Sequence, residues 1–167
     1  MDTLLMIAEV GMGFVGFTMV VVTLRMTTGA GLTPFQRLLT RFYVEVGLLS
    51  IALAGLPAAL VAVFGDTLMV WRVSTYACLL AIVFYMPMYI RRRLRTKAAV
   101  PLTSLLVMVG YGIALVLLIL TATELFWQPS LAVSLSFVCW GLGSSALIFV
   151  MMLGQFLEEG SPAEGRA

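Results

Sequence analysis

The sequence has no histidine and no asparagine, a single lysine, two cysteines, and only ten basic and eight acidic side chains in 167 residues. Without histidine there is no His-ligated haem, most zinc sites lose a ligand, and Ser-His-Asp or Cys-His catalysis lacks its base. Without asparagine there is no N-glycosylation acceptor. Lys97, the one lysine, falls between apolar runs, which excludes a retinal Schiff base inside a bundle. Cys78 and Cys139 sit within apolar runs, where a thiol is a small packing residue. The chain is 11% charged and 62% hydrophobic with a mean hydropathy of +1.09, whereas soluble domains carry about 25% charge. A water-soluble globule is excluded, and no enzyme signature or cofactor is implied.

What is present is long apolar sequence. Five stretches are apolar enough to cross a hydrocarbon core, which takes roughly 20 helical residues: 4–24, 42–64, 68–90, 100–122 and 131–153. They contain only Glu9, Glu45 and Arg72 as charges. Barrel strands would alternate in polarity over about ten residues; these runs are uniformly apolar, so the expectation is an all-α membrane bundle of five transmembrane helices in one domain, 1–157. An acidic tail, 158–167, is expected to be disordered. Thr33-Pro34-Phe35-Gln36 combines an N-cap, a first-turn proline and a capping-box glutamine. Phe35, Leu38, Leu39 and Phe42 follow at helical spacing, giving either an amphipathic interfacial helix over 34–41 or a long, tilted second span.

Orientation is read from basic residues. Arg25, Arg37 and Arg41, then Arg91, Arg92, Arg93, Arg95 and Lys97, and finally Arg166 all fall in alternate connections; Met1 to Thr3, Gly65 to Thr67 and Thr123 to Ser130 have none. The positive-inside rule then puts the N-terminus outside and the C-terminus in the cytoplasm. Asp2, Glu9 and the lack of a small-residue cleavage site argue for a retained first span rather than a signal peptide. Consecutive arginines after a span are unlike a voltage sensor, whose arginines recur about every third residue through one. Arg91, Arg92, Arg93, Arg95 and Lys97 are therefore read as a topology anchor contacting anionic headgroups of the bilayer.

Intramembrane charges are functional candidates. Glu9, Gly13 and Gly16 share one helical face, as do Glu45, Ala52, Gly55 and Ala59; small residues let membrane helices approach, so both faces are expected to point into protein. Glu9 and Arg72 lie at similar depth with opposite sign, which predicts an ion pair between spans one and three. Arg72 snorkelling to headgroups, or Glu9 titrating in an ion or proton path, are the alternatives. Glu45 is expected to pair locally with Arg41, and Glu124 to be solvated. Ser134, Gly141 and Ser145 form a small, weakly polar stripe, either packing glue or the lining of a narrow pore. Pro57 removes a backbone hydrogen bond in mid-span and is a candidate hinge.

Gly11-Met12-Gly13-Phe14-Val15-Gly16 fits G-x-G-x-x-G, but that motif works at a strand-to-helix turn, and here it lies inside an apolar span. No nucleotide or nucleic-acid partner is implied. Ile7-Ala8-Glu9-Val10-Gly11 to Gly16-Phe17, continuing to Leu24-Arg25 and a Thr-Pro loop with Arg37, resembles the start of a group of small uncharacterised bacterial multi-pass membrane proteins over the first quarter of the chain. The resemblance implies a bacterial inner membrane and neither an activity nor a site residue. The functional expectation is a structural or accessory subunit, as a homo-oligomer or with a membrane partner; an oligomeric channel or proton-coupled transporter is the alternative, and a membrane enzyme the third reading.

Overall fold

The computed structural model describes residues 2–27, 32–96 and 102–160. They form five helices and, among the described residues, no strand: α1 (Asp2–Thr27), α2 (Pro34–Phe64), α3 (Leu68–Thr96), α4 (Leu102–Ala122) and α5 (Leu131–Gly160). All five contain segments long and apolar enough to cross a membrane.

The helix ends follow from local chemistry. Thr33 Oγ1 accepts from Gln36 N at 3.2 Å while Thr33 N donates to Gln36 Oε1 at 3.0 Å, closing the capping box. Gly65 ends α2 with φ +73 and donates its N–H to Val61 O, a backbone conformation that costs glycine little. Two residues later the chain re-enters a helix, so α2 and α3 are antiparallel neighbours. At the end of α4 the N–H of Leu125 bonds Leu120 O and that of Glu124 bonds Thr121 O, the Schellman pairing. The residue in its left-handed position is Glu124, φ +56, where glycine is usual.

Three boundaries differ from the sequence reading. The stretch 34–41 is no separate interfacial helix but the first two turns of α2. Thr40 Oγ1 bonds Gln36 O across the junction, and Leu39 is 0% exposed, so this segment packs in the bundle rather than on a headgroup surface. α3 continues through the arginine run, whose positive charge suits a helix C-terminus. α5 continues to Gly160, so residues 158–160 are helical; 161–167 and Lys97 lie outside the described residues.

α2 is the hub, touching α1, α3 and α5; α5 touches every other helix; α1 and α3 do not meet. In lipid, apolar side chains gain little by leaving their surroundings, so close packing holds such helices together. The close approaches are at glycine. A Cβ on Gly141 of α5 would come within 2.3 Å of Ser50 Oγ of α2, and one on Gly47 of α2 within 2.6 Å of Val15 of α1. α1 presents Leu4, Ala8, Gly11, Thr18 and Val22 inward, spaced by three, four or seven residues as a single helix face requires. Pro57 is buried inside a continuous α2, where its ring nitrogen gives the Leu53 carbonyl no donor. Gly55, read as a packing residue, has nothing within 4 Å of where a Cβ would stand.

Candidate functional site

The polar chemistry collects at the arginine-bearing end of α2 and α3. On α3, Tyr85 and Arg92 are seven residues apart and so share a face, and that face meets α2. Phe42 sits between the rings of Tyr85 and Tyr89, at centroid distances of 5.9 and 4.7 Å. This aromatic contact sets the two helices at a spacing that lets Arg92 reach Glu45, one turn beyond Arg41.

Both oxygens of Glu45 are engaged. Arg41 Nε donates to Oε1 at 2.6 Å, while Arg92 Nη1 and Tyr85 OH donate to Oε2 at 2.7 and 3.1 Å. Arg92 Nη2 also donates to Met88 Sδ at 3.2 Å. The pairs are unequal in worth. The Arg41 side chain is 61% exposed, which leaves its bond to solvent competition. Glu45 and Arg92 are 27% and 26% exposed, so their charge-assisted bond is the stronger link between α2 and α3. The expected local pair with Arg41 is present; the cross-helix donors Arg92 and Tyr85 were missed. Their signal was the seven-residue spacing on α3, obscured by reading the arginine run as a loop.

That run divides by helical angle. Arg91 and Arg95, four apart, are exposed together; Arg92 turns to Glu45, and Arg93, 7% exposed, lies with its guanidinium carbon 5.2 Å from the Phe35 ring centroid, within cation–π range. Only Arg91 and Arg95 are placed as headgroup anchors; Arg92 and Arg93 are tied into the protein.

The predicted ion pair of Glu9 with Arg72 is replaced by another. Arg72 Nε donates to Glu124 Oε1 at 2.6 Å, and beside it Tyr76 OH donates to Ala122 O at 3.3 Å, tying α3 to the end of α4. The reason is topological: α2 and α5 stand between α1 and α3, whereas the left-handed turn at Glu124 projects its carboxylate beside α3. Glu124 is thus a structural partner rather than a solvated end residue. At the same end Asp66 accepts from Trp71 Nε1 at 2.6 Å.

Glu9 is exposed and makes no ion pair or hydrogen bond with any described residue. Gly13 and Gly16 share its face, and neither has an atom within 4 Å of where a Cβ would stand. The expectation that this face points into the chain's own bundle is corrected: the bundle uses the opposite face of α1, and Gly11, not Gly13 or Gly16, makes the contact, 3.1 Å from Ile51 and Leu142. The acidic face of α2 behaves likewise, with Ala52 and Ala59 exposed.

On α5, Ser134, Gly141 and Ser145 are all buried. Ser145 Oγ donates to Gly141 O at 2.8 Å, and Ser144 Oγ to the same carbonyl at 2.9 Å. Tyr111 OH of α4 joins them, 2.9 Å from Ser144 Oγ. These hydroxyls satisfy one another and the helix backbone, an arrangement suited to holding helices in register. Comparison with family models, curated proteins and solved structures finds no match to this chain.

Proposed function

We propose that the chain is a multi-pass protein of the bacterial inner membrane, N-terminus outside and C-terminus cytoplasmic, and that it acts as a non-enzymatic structural or accessory subunit. It docks a transmembrane helix, from a second copy or from another subunit, on the Glu9 face of α1. The observation that carries this reading is the uncovered carboxylate. An intramembrane acid is costly facing lipid and ordinarily faces protein or a water-filled cavity. Here it shares its face with Gly13 and Gly16, which leave room for another helix to come close. The orientation rests on the arginines gathered at one end of the bundle. The other intramembrane carboxylate, Glu45, has both oxygens held by cations, which supports a strut rather than a proton carrier.

The test is isolation of the tagged protein from its native membrane in mild detergent, with particle mass by light scattering and identification of co-purifying chains. Wild type is expected as a complex. Gly13→Leu, Gly16→Leu and Glu9→Leu are expected to release it as a folded monomer with unchanged helical circular dichroism. A wild-type monomer without partner would overturn the proposal. So would proton or ion flux in liposomes that Glu9→Gln abolishes, which would favour the channel reading.

A further inference from the structure

A second uncovered region lies on the other edge of the bundle. α4 and α5 diverge to leave a groove of about 800 Å³. Its walls are apolar, among them Ile113, Leu117 and Val133, and Gln128 and Ser130 stand at its mouth, in the connection to α5. Its inner end is marked by Trp140, ten residues and about 15 Å along α5 from Ser130. The indole lies across α4 at Gly110, where a Cβ would be 1.9 Å from a ring carbon. A hydrocarbon core is about 30 Å thick, so the groove runs from one membrane surface to the midplane and ends there.

The dimensions choose the occupant. Spread over about 20 Å of α4, from Leu106 to Thr121, the volume corresponds to a cross-section of about 40 Å². A helix with its side chains is about 10–12 Å across and needs about twice that; it would also continue past the midplane instead of stopping at Trp140. One or two extended hydrocarbon chains fit both the width and the length. The polar groups stand where such a lipid has its own. The Gln128 amide and Ser130 hydroxyl make no hydrogen bond with any described residue, and at the same end Arg72, 47% exposed, spends only Nε on Glu124.

We infer that the α4–α5 groove is a binding site for a membrane phospholipid of the leaflet on the Asp66 side, the outer leaflet in the proposed orientation. Its acyl chain lies along Ile113 and Leu117 down to Trp140, and its phosphate and ester oxygens accept from Gln128 and Ser130. This site is independent of the α1 face and its partner.

Trp140 supplies the reporter. With Trp71→Phe and Trp127→Phe as background, the protein in maltoside micelles is titrated with phosphatidylglycerol brominated at mid-chain, and Trp140 fluorescence is followed. Quenching is expected to saturate near one or two acyl chains per protein. Filling the groove with Ala114→Leu and Ala132→Leu is expected to weaken apparent affinity at least tenfold. Native mass spectrometry of the protein with all three tryptophans and the same lipid should show an adduct that the filled variant loses, a readout independent of the tryptophan replacements. Quenching that rises without saturation, or is unchanged in the filled variant, would overturn the site. So would a fall in particle mass from dimer to monomer on filling, since that would assign the groove to a second copy.

Discussion

The outward face of α1 and the inward junctions of α2 are built from the same materials, a glutamate and small residues at helical spacing, yet they are in opposite states. At the junctions, Glu45 accepts from three donors and Gly141 of α5 is pressed against Ser50. On α1, Glu9 has no partner among the described residues, and Gly13 and Gly16 touch nothing across from them. Composition and spacing therefore identify a surface capable of close approach without saying what approaches. The answer depends on which helices the connections place beside it.

The widest separation between the two regions should appear at the glycines. Gly141→Leu inserts a side chain where even a Cβ meets Ser50 Oγ, and it should destabilise the bundle by about 3 kcal/mol, the upper range for overpacking. Gly16→Leu should change the stability of the isolated chain by no more than about 0.5 kcal/mol, because its side chain enters open space. Reversible unfolding in mixed micelles measures both. Equal costs would break the comparison by showing that α1 packs through its other face.

The carboxylates come next. Glu45→Leu strands Arg92 and the Tyr85 hydroxyl at a half-buried site, and should cost about 2 kcal/mol. Glu9→Leu removes an unpaired intramembrane charge and should be neutral or stabilising for the monomer while weakening association with the proposed partner. Opposite signs in stability and assembly from one substitution are the distinguishing result; a stability loss at Glu9 comparable to that at Glu45 would mean that Glu9 has a partner within its own chain.

The five helices were legible because each apolar run is long and charge is concentrated between them; the capping box and the Gly65 turn were legible because they are encoded within a few residues. The pairings were not. Depth along the membrane correctly gives Glu9 and Arg72 similar heights, but depth is one coordinate, and the exclusion of α1 from α3 is decided in the other two by α2 and α5. The inward face of α1 was readable in principle from Leu4, Ala8, Gly11, Val15, Thr18 and Val22, a regular stripe outcompeted in the reading by the conspicuous Glu9-Gly13-Gly16 alternative. Glu124 shows the remaining limit: its partner depends on a left-handed turn that a glutamate does not advertise.

That turn gives a smaller effect with an informative sign. A non-glycine residue in the left-handed region costs about 1–2 kcal/mol, and a partly exposed ion pair contributes at most about 1 kcal/mol. Glu124→Ala keeps the backbone cost and loses the bond to Arg72, so it should be less stable than wild type. Glu124→Gly also loses the bond but relieves the backbone, and should be more stable than Glu124→Ala by about 1 kcal/mol. Finding the two variants equal would mean that the turn relaxes without the ion pair, so that Arg72 holds the loop in its left-handed form.

The smallest effect separates the two arginines of the α2 junction. Arg41 and Glu45 are an i, i+4 pair in the weaker order, with the basic residue first, and such pairs contribute a few tenths of a kcal/mol in water. The more buried Arg92 bridges two helices and shares the same carboxylate. Arg41→Gln should therefore shift the unfolding free energy by less than about 0.5 kcal/mol, and Arg92→Gln by about 1–2 kcal/mol. In the Glu45→Leu background the Arg41 effect should vanish, because its partner is gone, while Arg92→Gln should become favourable, because it removes an uncompensated charge. That reversal is the reading that a clamp across two helices demands and a pair of independent surface contacts does not.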